Sequence, residues 1–251
     1  MKLIRISFLL VLFVVAAFYT KSQRLATTSW VEPLIVSIYP INADLRDDTA
    51  RYIQSLSTSD FSEINGFFIN QWSLYSGLDF TPFDVQLRQP IRSEPPKPPD
   101  NGNLFSIAFW SLRLRFWSYR QVTDDTSKTI NMFIRYQQPN EDDPVAHSLG
   151  LQKGLIGVVN AYAGEPFRAR NNVVIAHEML HTVGASDKYD LASGQPIFPQ
   201  GFAQPDKQFK QNKAVLMAAK IPLSPTKSLM PTSLKSCVIS VETATEIAWI
   251  E

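Results

Sequence analysis

The spacing of apolar residues divides most of the chain into predicted strands and helices. Two-residue alternation and short apolar runs predict strands, and apolar residues three or four apart predict helices. The predicted strands are Leu34–Tyr39, Phe83–Leu87, Ile130–Tyr136 and Leu155–Tyr162. The predicted helices are one or two over Asp44–Tyr75, an amphipathic helix over Leu104–Tyr119, a helix over Val173–Val183, a short helix or turn over Ala214–Ala219 and a closing helix over Thr243–Trp249. This order of strands and helices, followed by largely irregular chain, predicts an α+β domain with a mixed sheet.

The predicted helix Leu104–Tyr119 mixes arginines with aromatic residues and follows a proline-rich loop over residues 89–103. Arg113 and Arg115 predict a solvated, charged face opposite a face that packs on the domain. Contact with a lipid surface is the alternative interpretation of this composition.

Residues 1–24 contain an apolar run from Ile6 to Tyr19, with basic residues on both sides. A run of about 14 residues is short for a membrane span and suits the core of a signal peptide. The chain lacks a clear small-residue cleavage site after this run, which favours an uncleaved membrane anchor over a cleaved signal peptide. With either, we expect residues 30–251 to lie outside the cytoplasm: anchored to the membrane, periplasmic in a bacterium, or secreted if the signal is cleaved.

The charge balance argues against a nucleic-acid-binding protein, and the cysteine count excludes an internal disulfide bond. Lysine and arginine total 24 and aspartate and glutamate total 23, for a net charge of +1. This balance argues against nucleic acid as the main partner, because phosphate binding needs a concentrated positive field. Cys237 is the single cysteine, so the chain has no internal disulfide, and we expect this residue to serve in packing.

The segment NNVVIAHEMLHTVGASDKYD, residues 171–190, carries the strongest chemical pattern. His177 and His181 stand four residues apart in a predicted helix, so both rings face the same side and can share one metal ion. Glu178 follows the first histidine and is placed to act on a water molecule at that metal. Asn171 or Asn172 is available to cap the start of the helix.

The residues after the second histidine extend the pattern. Gly184 can adopt a positive φ angle and end the helix, so that the chain turns back and Asp187 offers a carboxylate as third ligand. Three protein ligands and an open fourth position are typical of catalytic zinc sites. The alternative is a surface helix with two solvated histidines and a C-terminal glycine. Against it, two of the chain's three histidines stand in this pattern, and His147, the third, is expected to be a polar loop residue.

The sequence HEMLHTVGASD resembles the extended signature H-E-x-x-H-x-x-G-x-x-(H/D) of the metzincin zinc peptidases, in its snapalysin-like variant with a final aspartate. The longer run from HSLGLQKG to Trp249 resembles a group of bacterial metzincin-like proteins with an N-terminal anchor. The resemblance implies an upper lobe to about residue 184, with a twisted mixed sheet, a backing helix and the active-site helix, and a small irregular C-terminal lobe. It also implies a methionine turn, at Met217 or secondly at Met230, and a substrate-aligning edge strand at Leu155–Tyr162.

These observations predict a zinc-dependent endopeptidase acting outside the cytoplasm. One Zn²⁺ ion is expected on His177, His181 and Asp187, with Glu178 as the general base and a peptide or protein as substrate. Two other functions stay open at this point. One is a catalytically silent metzincin-like protein that binds or scaffolds, and the other is a zinc hydrolase of a non-peptide substrate.

Overall fold

The computed structural model describes residues 10–11, 27–99, 102–122, 129–139, 148–152 and 154–250. The main strands are β1 (Leu34–Asn42), β2 (Phe83–Leu87), β3 (Ile130–Gln137), β4 (Leu149–Leu151) and β5 (Ile156–Tyr162). The helices are α1 (Asp47–Ser55), α2 (Ser62–Ser76), α3 (Leu104–Gln121), α4 (Arg168–Thr182) and α5 (Val241–Glu246). Short strands follow α4: β6 (Ala214–Val215), β7 (Ile221–Ser224), β8 (Lys227–Leu229) and β9 (Cys237–Val238).

The four predicted strands are confirmed, with small differences at their ends. The region predicted as one or two helices contains two, α1 and α2, separated by a 3-10 turn over Thr58–Phe61. The predicted short helix or turn over Ala214–Ala219 is strand β6 followed by a 3-10 turn over Leu216–Ala218. The closing helix is shorter than predicted and begins at Val241, where the Ser240 side chain caps it.

The strands form a mixed five-stranded sheet in the order β2-β1-β3-β5-β4. The first four strands are parallel, and β4 alone runs antiparallel to β5. The α+β class with a mixed sheet is therefore confirmed. The assignment of Leu155–Tyr162 as the edge strand is wrong: β5 pairs on both sides, because the glycine-containing segment before it folds back as β4 and takes the edge.

Apolar residues cover both faces of the sheet. On one face the sheet, α2, α4 and the C-terminal segment share one continuous core that includes Ile38, Phe68, Ile134 and Leu180, all fully buried. On the other face α3 packs through Trp110 and Leu114 against Tyr39, Phe133 and Val158. The helix α4, which carries the motif, is thus held between the sheet and the C-terminal segment.

The chain after residue 184 consists of short strands, 3-10 turns and α5. Its apolar side chains enter the same core as the sheet, including Met217, Ile247 and Trp249. Cys237 is buried in this core, as predicted for a packing residue, and burial raises the pKa of its thiol to about 12. This part of the chain therefore closes the core beside α4.

Helix α3 corrects one prediction about its surface. The expected charged outer face is found only in part: Arg113 is exposed, but large apolar side chains such as Phe105, Phe109 and Phe116 are exposed on the same side. Hydrophobic spacing alone did not reveal this, since α3 carries apolar residues on opposite sides and the sheet covers only one of them.

Two predictions fall on residues outside the described part of the chain. These are the N-terminal anchor or signal segment, of which only Leu10 and Val11 are described, and the loop position of His147. Among the described helices, none combines the length and the apolar composition needed to cross a membrane.

Candidate metal centre

Two buried asparagines fix the start of helix α4, one to the end of β5 and the other to the 3-10 turn before α2. The prediction that Asn171 or Asn172 caps the helix is wrong, because the helix begins at Arg168 and both asparagines lie within its second turn. Asn171 donates to the Tyr162 carbonyl oxygen over 2.8 Å and accepts from the Tyr162 N–H, and Asn172 donates to the Asp60 carbonyl oxygen over 2.9 Å. These bonds satisfy buried amides and set the position of the helix against the end of β5.

Helix α4 ends as its sequence predicts. It stops at Thr182, and Gly184 has a φ angle of +110°, a conformation that favours glycine. The Ala185 N–H donates to the Leu180 carbonyl oxygen over 3.0 Å, which closes the last turn. The chain then reverses and brings Asp187 back to the histidines.

The three predicted ligands meet at one point. His177 Nε2 and His181 Nε2 are 3.1 Å apart, and Asp187 Oδ1 lies 3.2 Å from the first and 3.1 Å from the second. A tetrahedral zinc ion with bonds of about 2.0–2.1 Å separates its ligand atoms by about 3.3–3.4 Å. The triangle is thus close to the size that such an ion requires, and the three residues together could hold a metal ion.

Backbone carbonyl groups orient both imidazole rings. His177 Nδ1 lies 2.9 Å from the Leu216 oxygen, and His181 Nδ1 lies 2.8 Å from the Ala185 oxygen. A carbonyl oxygen only accepts, so each Nδ1 carries the hydrogen, and in a neutral ring Nε2 then presents its lone pair. Both lone pairs consequently point into the triangle, which is the arrangement common to metal-binding histidines.

Asp187 completes a set of atoms that needs a cation. Its Oδ1 is buried and has no hydrogen-bond donor when both histidines are neutral. Two nitrogen lone pairs and a carboxylate oxygen this close together repel one another unless a proton or a metal ion lies between them. The donor set of two imidazoles and a carboxylate fits a metal such as zinc.

Protons compensate this cluster when no metal is bound. Burial alone would lower the pKa of His181, but its contact with Asp187 and the nearby Glu178 charge raise that pKa overall. Burial raises the pKa of the Asp187 carboxyl, but the contacts with His177 and His181 outweigh burial and hold the pKa well below its usual range. A metal ion at this site would therefore compete with a proton on His181.

Glu178 lies beside the cluster and lines the same cavity as His177. It is 5% exposed, and its Oε2 atom is buried without a hydrogen-bond partner. Burial is the main cause that raises the pKa of this carboxyl, with Asp187 adding to the rise and the two histidines opposing it. An unpaired carboxylate with a raised pKa in a cavity is suited to accept a proton.

A partly buried ion pair holds the loop on both sides of Asp187. The Lys188 ammonium group donates to Glu246 Oε1 and Oε2 over 2.7 and 2.8 Å, and also to the Ser186 carbonyl oxygen over 3.0 Å. The Ser186 N–H and hydroxyl donate to the same Glu246 carboxylate, over 2.9 and 2.6 Å. We call Ser186, Lys188 and Glu246 the loop clamp. The clamp fixes the residues before and after the third ligand to the end of α5.

A cavity of about 400 Å³ opens next to the cluster. Its walls come from the end of β5, from α4 and from the C-terminal segment, and include Val174, Tyr189 and Met230. Tyr189 is half-buried, its ring lies 6.4 Å from that of His177, and burial together with the Asp187 charge raises the pKa of its hydroxyl to about 12. Its hydroxyl therefore stays protonated near neutral pH and can donate a hydrogen bond.

The edge strand β4 approaches α4 through Gly150. A Cβ atom at this position would overlap the Glu178 carbonyl oxygen and would lie 2.7 Å from the His181 Cβ atom. Only glycine permits this approach without a shift of the backbone. The sheet edge is consequently in direct contact with the turn of α4 that carries Glu178 and His181.

Reasoning from the sequence missed β4 and the loop clamp. A three-residue strand carries almost no periodicity, and Lys188 and Glu246 are 58 residues apart in the chain. A lysine directly after a candidate ligand is a signal that could have prompted a search for its partner. No family model and no curated protein matches this sequence.

Proposed function

We propose that the chain is a zinc-dependent endopeptidase with a metzincin-like fold. The observation that carries the proposal is the convergence of His177 Nε2, His181 Nε2 and Asp187 Oδ1 within 3.2 Å, beside the unpaired carboxylate of Glu178. The mixed sheet, the helix behind it and the glycine-terminated α4 are compatible with that fold.

The residues fit a catalytic rather than a structural metal site. Three side chains supply ligands, and the cavity beside them leaves room for a water molecule and a substrate group. When bound, zinc would lower the pKa of a water molecule and polarise the carbonyl group of the scissile bond. The fully buried Met217 lies in the turn whose Leu216 carbonyl orients His177, which supports Met217 over the partly exposed Met230 as the methionine of the turn.

Glu178 would transfer the proton in this reaction. Its carboxylate would take a proton from the attacking water and then deliver it to the leaving amine, and burial, which raises its pKa, favours acceptance of that proton. The Tyr189 hydroxyl, kept protonated by its high pKa, would donate to the oxyanion that develops on the substrate. His177 and His181 stay fixed during these steps through their carbonyl partners.

The sheet edge favours a peptide over another amide or an ester. Strand β4 pairs with β5 on one side, and no described strand pairs with its other side. An extended peptide can add to such an edge through main-chain hydrogen bonds, and Gly150 keeps this edge against the turn of α4 that carries Glu178 and His181. A scissile peptide bond would thus lie close to the base.

Metal analysis and peptide digestion test the proposal together. Full-length wild type should hold about one zinc ion per chain, and His177→Ala and Asp187→Ala should lose most of it. Glu178→Gln should keep the zinc but cleave a mixed peptide library roughly 10²–10⁴-fold more slowly. A folded wild type that binds no added zinc would contradict the metal site. Zinc binding without cleavage of any peptide would instead leave a scaffold or a hydrolase of another substrate.

A further inference from the structure

The outer face of α3 carries a continuous row of large apolar side chains. The row consists of Phe105, Phe109, Leu112, Phe116 and Tyr119, which are 86%, 64%, 61%, 65% and 70% exposed. At about 100° per residue, these five positions lie within about 40° of a single line along the helix. Leu114, on the opposite side, is fully buried against the sheet. We call this row the outer stripe.

The outer stripe is larger than a soluble protein ordinarily leaves in water. Each of these side chains has roughly 150–250 Å² of surface, so at the observed exposures the stripe presents roughly 700 Å². The largest apolar patch on a typical monomer is about 300–600 Å², and larger patches mark contact sites. The sheet already uses the other side of α3, so the stripe adds nothing to the core.

Arginines border the outer stripe on both sides. Arg113 and Arg120 follow one border and Arg115 follows the other, at about 60–80° from its centre line. The Arg120 guanidinium lies 6.0 Å from the centre of the Phe116 ring. Helix α3 contains no aspartate or glutamate. Glu94 lies in the same groove as Arg113 and Arg120, but it forms an ion pair with Arg135 over 2.6 Å.

We propose that the outer stripe docks on the surface of a membrane containing anionic lipid. Aromatic side chains would enter the boundary between headgroups and acyl chains, and the bordering arginines would meet lipid phosphates and carboxylates. Helix α3 is not apolar enough to span a bilayer, so it would lie in the plane of the surface. The apolar run of residues 6–19 would keep the domain near the same surface.

A second copy of the chain is a poorer occupant. Symmetric pairing of two outer stripes would bring the arginine borders of one copy close to those of the other. Because α3 has no acidic residue, no charge on the facing helix would compensate them. Anionic lipid carries negative charge that would face Arg113 and Arg120 at the border of the stripe.

Spin labels on the full-length chain test the proposal without any need for zinc or activity. The sole cysteine, Cys237, is replaced by alanine, and a nitroxide is attached at Leu112→Cys or, as control, at Leu45→Cys, which replaces an 84% exposed leucine. The protein is reconstituted in phosphatidylcholine vesicles with and without phosphatidylserine. Accessibility to oxygen, which partitions into lipid, is compared with accessibility to a water-soluble nickel chelate.

The expected result is a label at position 112 that oxygen reaches well and nickel poorly in vesicles with phosphatidylserine. The label at position 45 should remain accessible to the nickel chelate. In the triple variant Arg113→Gln, Arg115→Gln, Arg120→Gln, the label at position 112 should become accessible to the nickel chelate again. Equal nickel access at both positions would overturn the proposal. Low access to both reagents at position 112 would also overturn it, because protein would then cover the stripe: residues 1–24 of the same chain or a second copy. Equal insertion in neutral vesicles would overturn the role of the arginines.

Discussion

The loop clamp gives the most direct test of how the fold controls the metal site. Replacing Glu246 by glutamine keeps the size of the side chain but removes the charge that Lys188 contacts. The side chain of Lys188 is 8% exposed and that of Glu246 is 32% exposed, so water screens the pair only in part. Loss of one partner from a fully buried pair costs about 3–5 kcal/mol, and we expect about 2 kcal/mol of unfolding free energy here.

The same change should weaken metal binding, because Ser186 and Lys188 flank the ligand Asp187. Loss of a group that orients a metal ligand lowers affinity by about 10–100-fold, which corresponds to about 1.4–2.7 kcal/mol. Competition between zinc and a chromophoric chelator measures the dissociation constant, and chemical denaturation of the metal-free protein measures stability. Glu242→Gln is the matched control, since Glu242 is an exposed glutamate on the same helix α5.

Two results distinguish positioning from simple stabilisation. Adding Lys188→Met to Glu246→Gln removes the unpaired buried ammonium, so most of the lost stability should return while zinc affinity stays low. If Glu246→Gln binds zinc within twofold of wild type although its stability falls, the clamp stabilises the fold and does not position Asp187. An effect of Glu242→Gln on zinc affinity equal to that of Glu246→Gln would refute the reasoning as well.

Four further outcomes follow from the site. Gly150→Ala should lower stability and zinc affinity together, because the added Cβ atom overlaps the Glu178 backbone; denaturation and chelator competition check this. Gly184→Ala should destabilise the protein by about 1–2 kcal/mol through its positive φ, measured by denaturation with and without zinc. In the metal-free protein, the pKa of His181 is raised, so its contribution to stability is complete below the ordinary histidine pKa and is lost as pH rises through the raised value. The pKa of Asp187 is lowered, so its contribution to stability is present above the ordinary aspartate pKa and is lost as pH falls through the lowered value. Melting curves should therefore show the cluster contributing most at about pH 4–6.5, whereas zinc affinity rises with pH as His181 loses its proton. Finally, kcat/KM should rise with pH to a neutral or mildly alkaline optimum, since burial raises the Glu178 pKa and an anionic Asp187 ligand makes the attacking water less acidic; a flat or acidic profile would contradict this.

The sequence predicted that His177, His181 and Asp187 come together because their geometry is local. Residues four apart on a helix share a face, so His177 and His181 had to lie together once the segment was helical. Gly184 marked the end of that helix, and its positive φ is what turns the chain so that Asp187 returns. The sequence could therefore predict that these groups converge, although the orientation of His177 by Leu216 and of the Asp187 loop by Glu246 depends on residues far along the chain.

The features that the sequence did not predict depend on contacts between residues that are far apart in the sequence. The sequence predicted Asn171 as a helix cap because asparagine is common at that position. Its side-chain amide instead hydrogen-bonds to Tyr162 at the end of β5, a partner that is present only once the sheet has folded. Periodicity identified α3 as a helix yet left open which apolar side the sheet would cover. Strand β4 is too short to alternate visibly, so the longer β5 was taken for the sheet edge.

The loop clamp also explains why the site needs a cation from outside the chain. Lys188 is the cationic residue next to Asp187 in sequence, but its ammonium group is committed to Glu246 and Ser186. Asp187 and Glu178 therefore place two carboxylates beside two histidines. In each neutral histidine, Nδ1–H donates to a backbone carbonyl oxygen and Nε2 presents a lone pair. A proton on His181, whose pKa is raised, can balance part of this charge at low pH, and a divalent ion can balance it at higher pH. The described hydrogen bonds of the Lys188 ammonium group go to Glu246 and Ser186, and we expect the clamp to hold Asp187 in position for a metal ion.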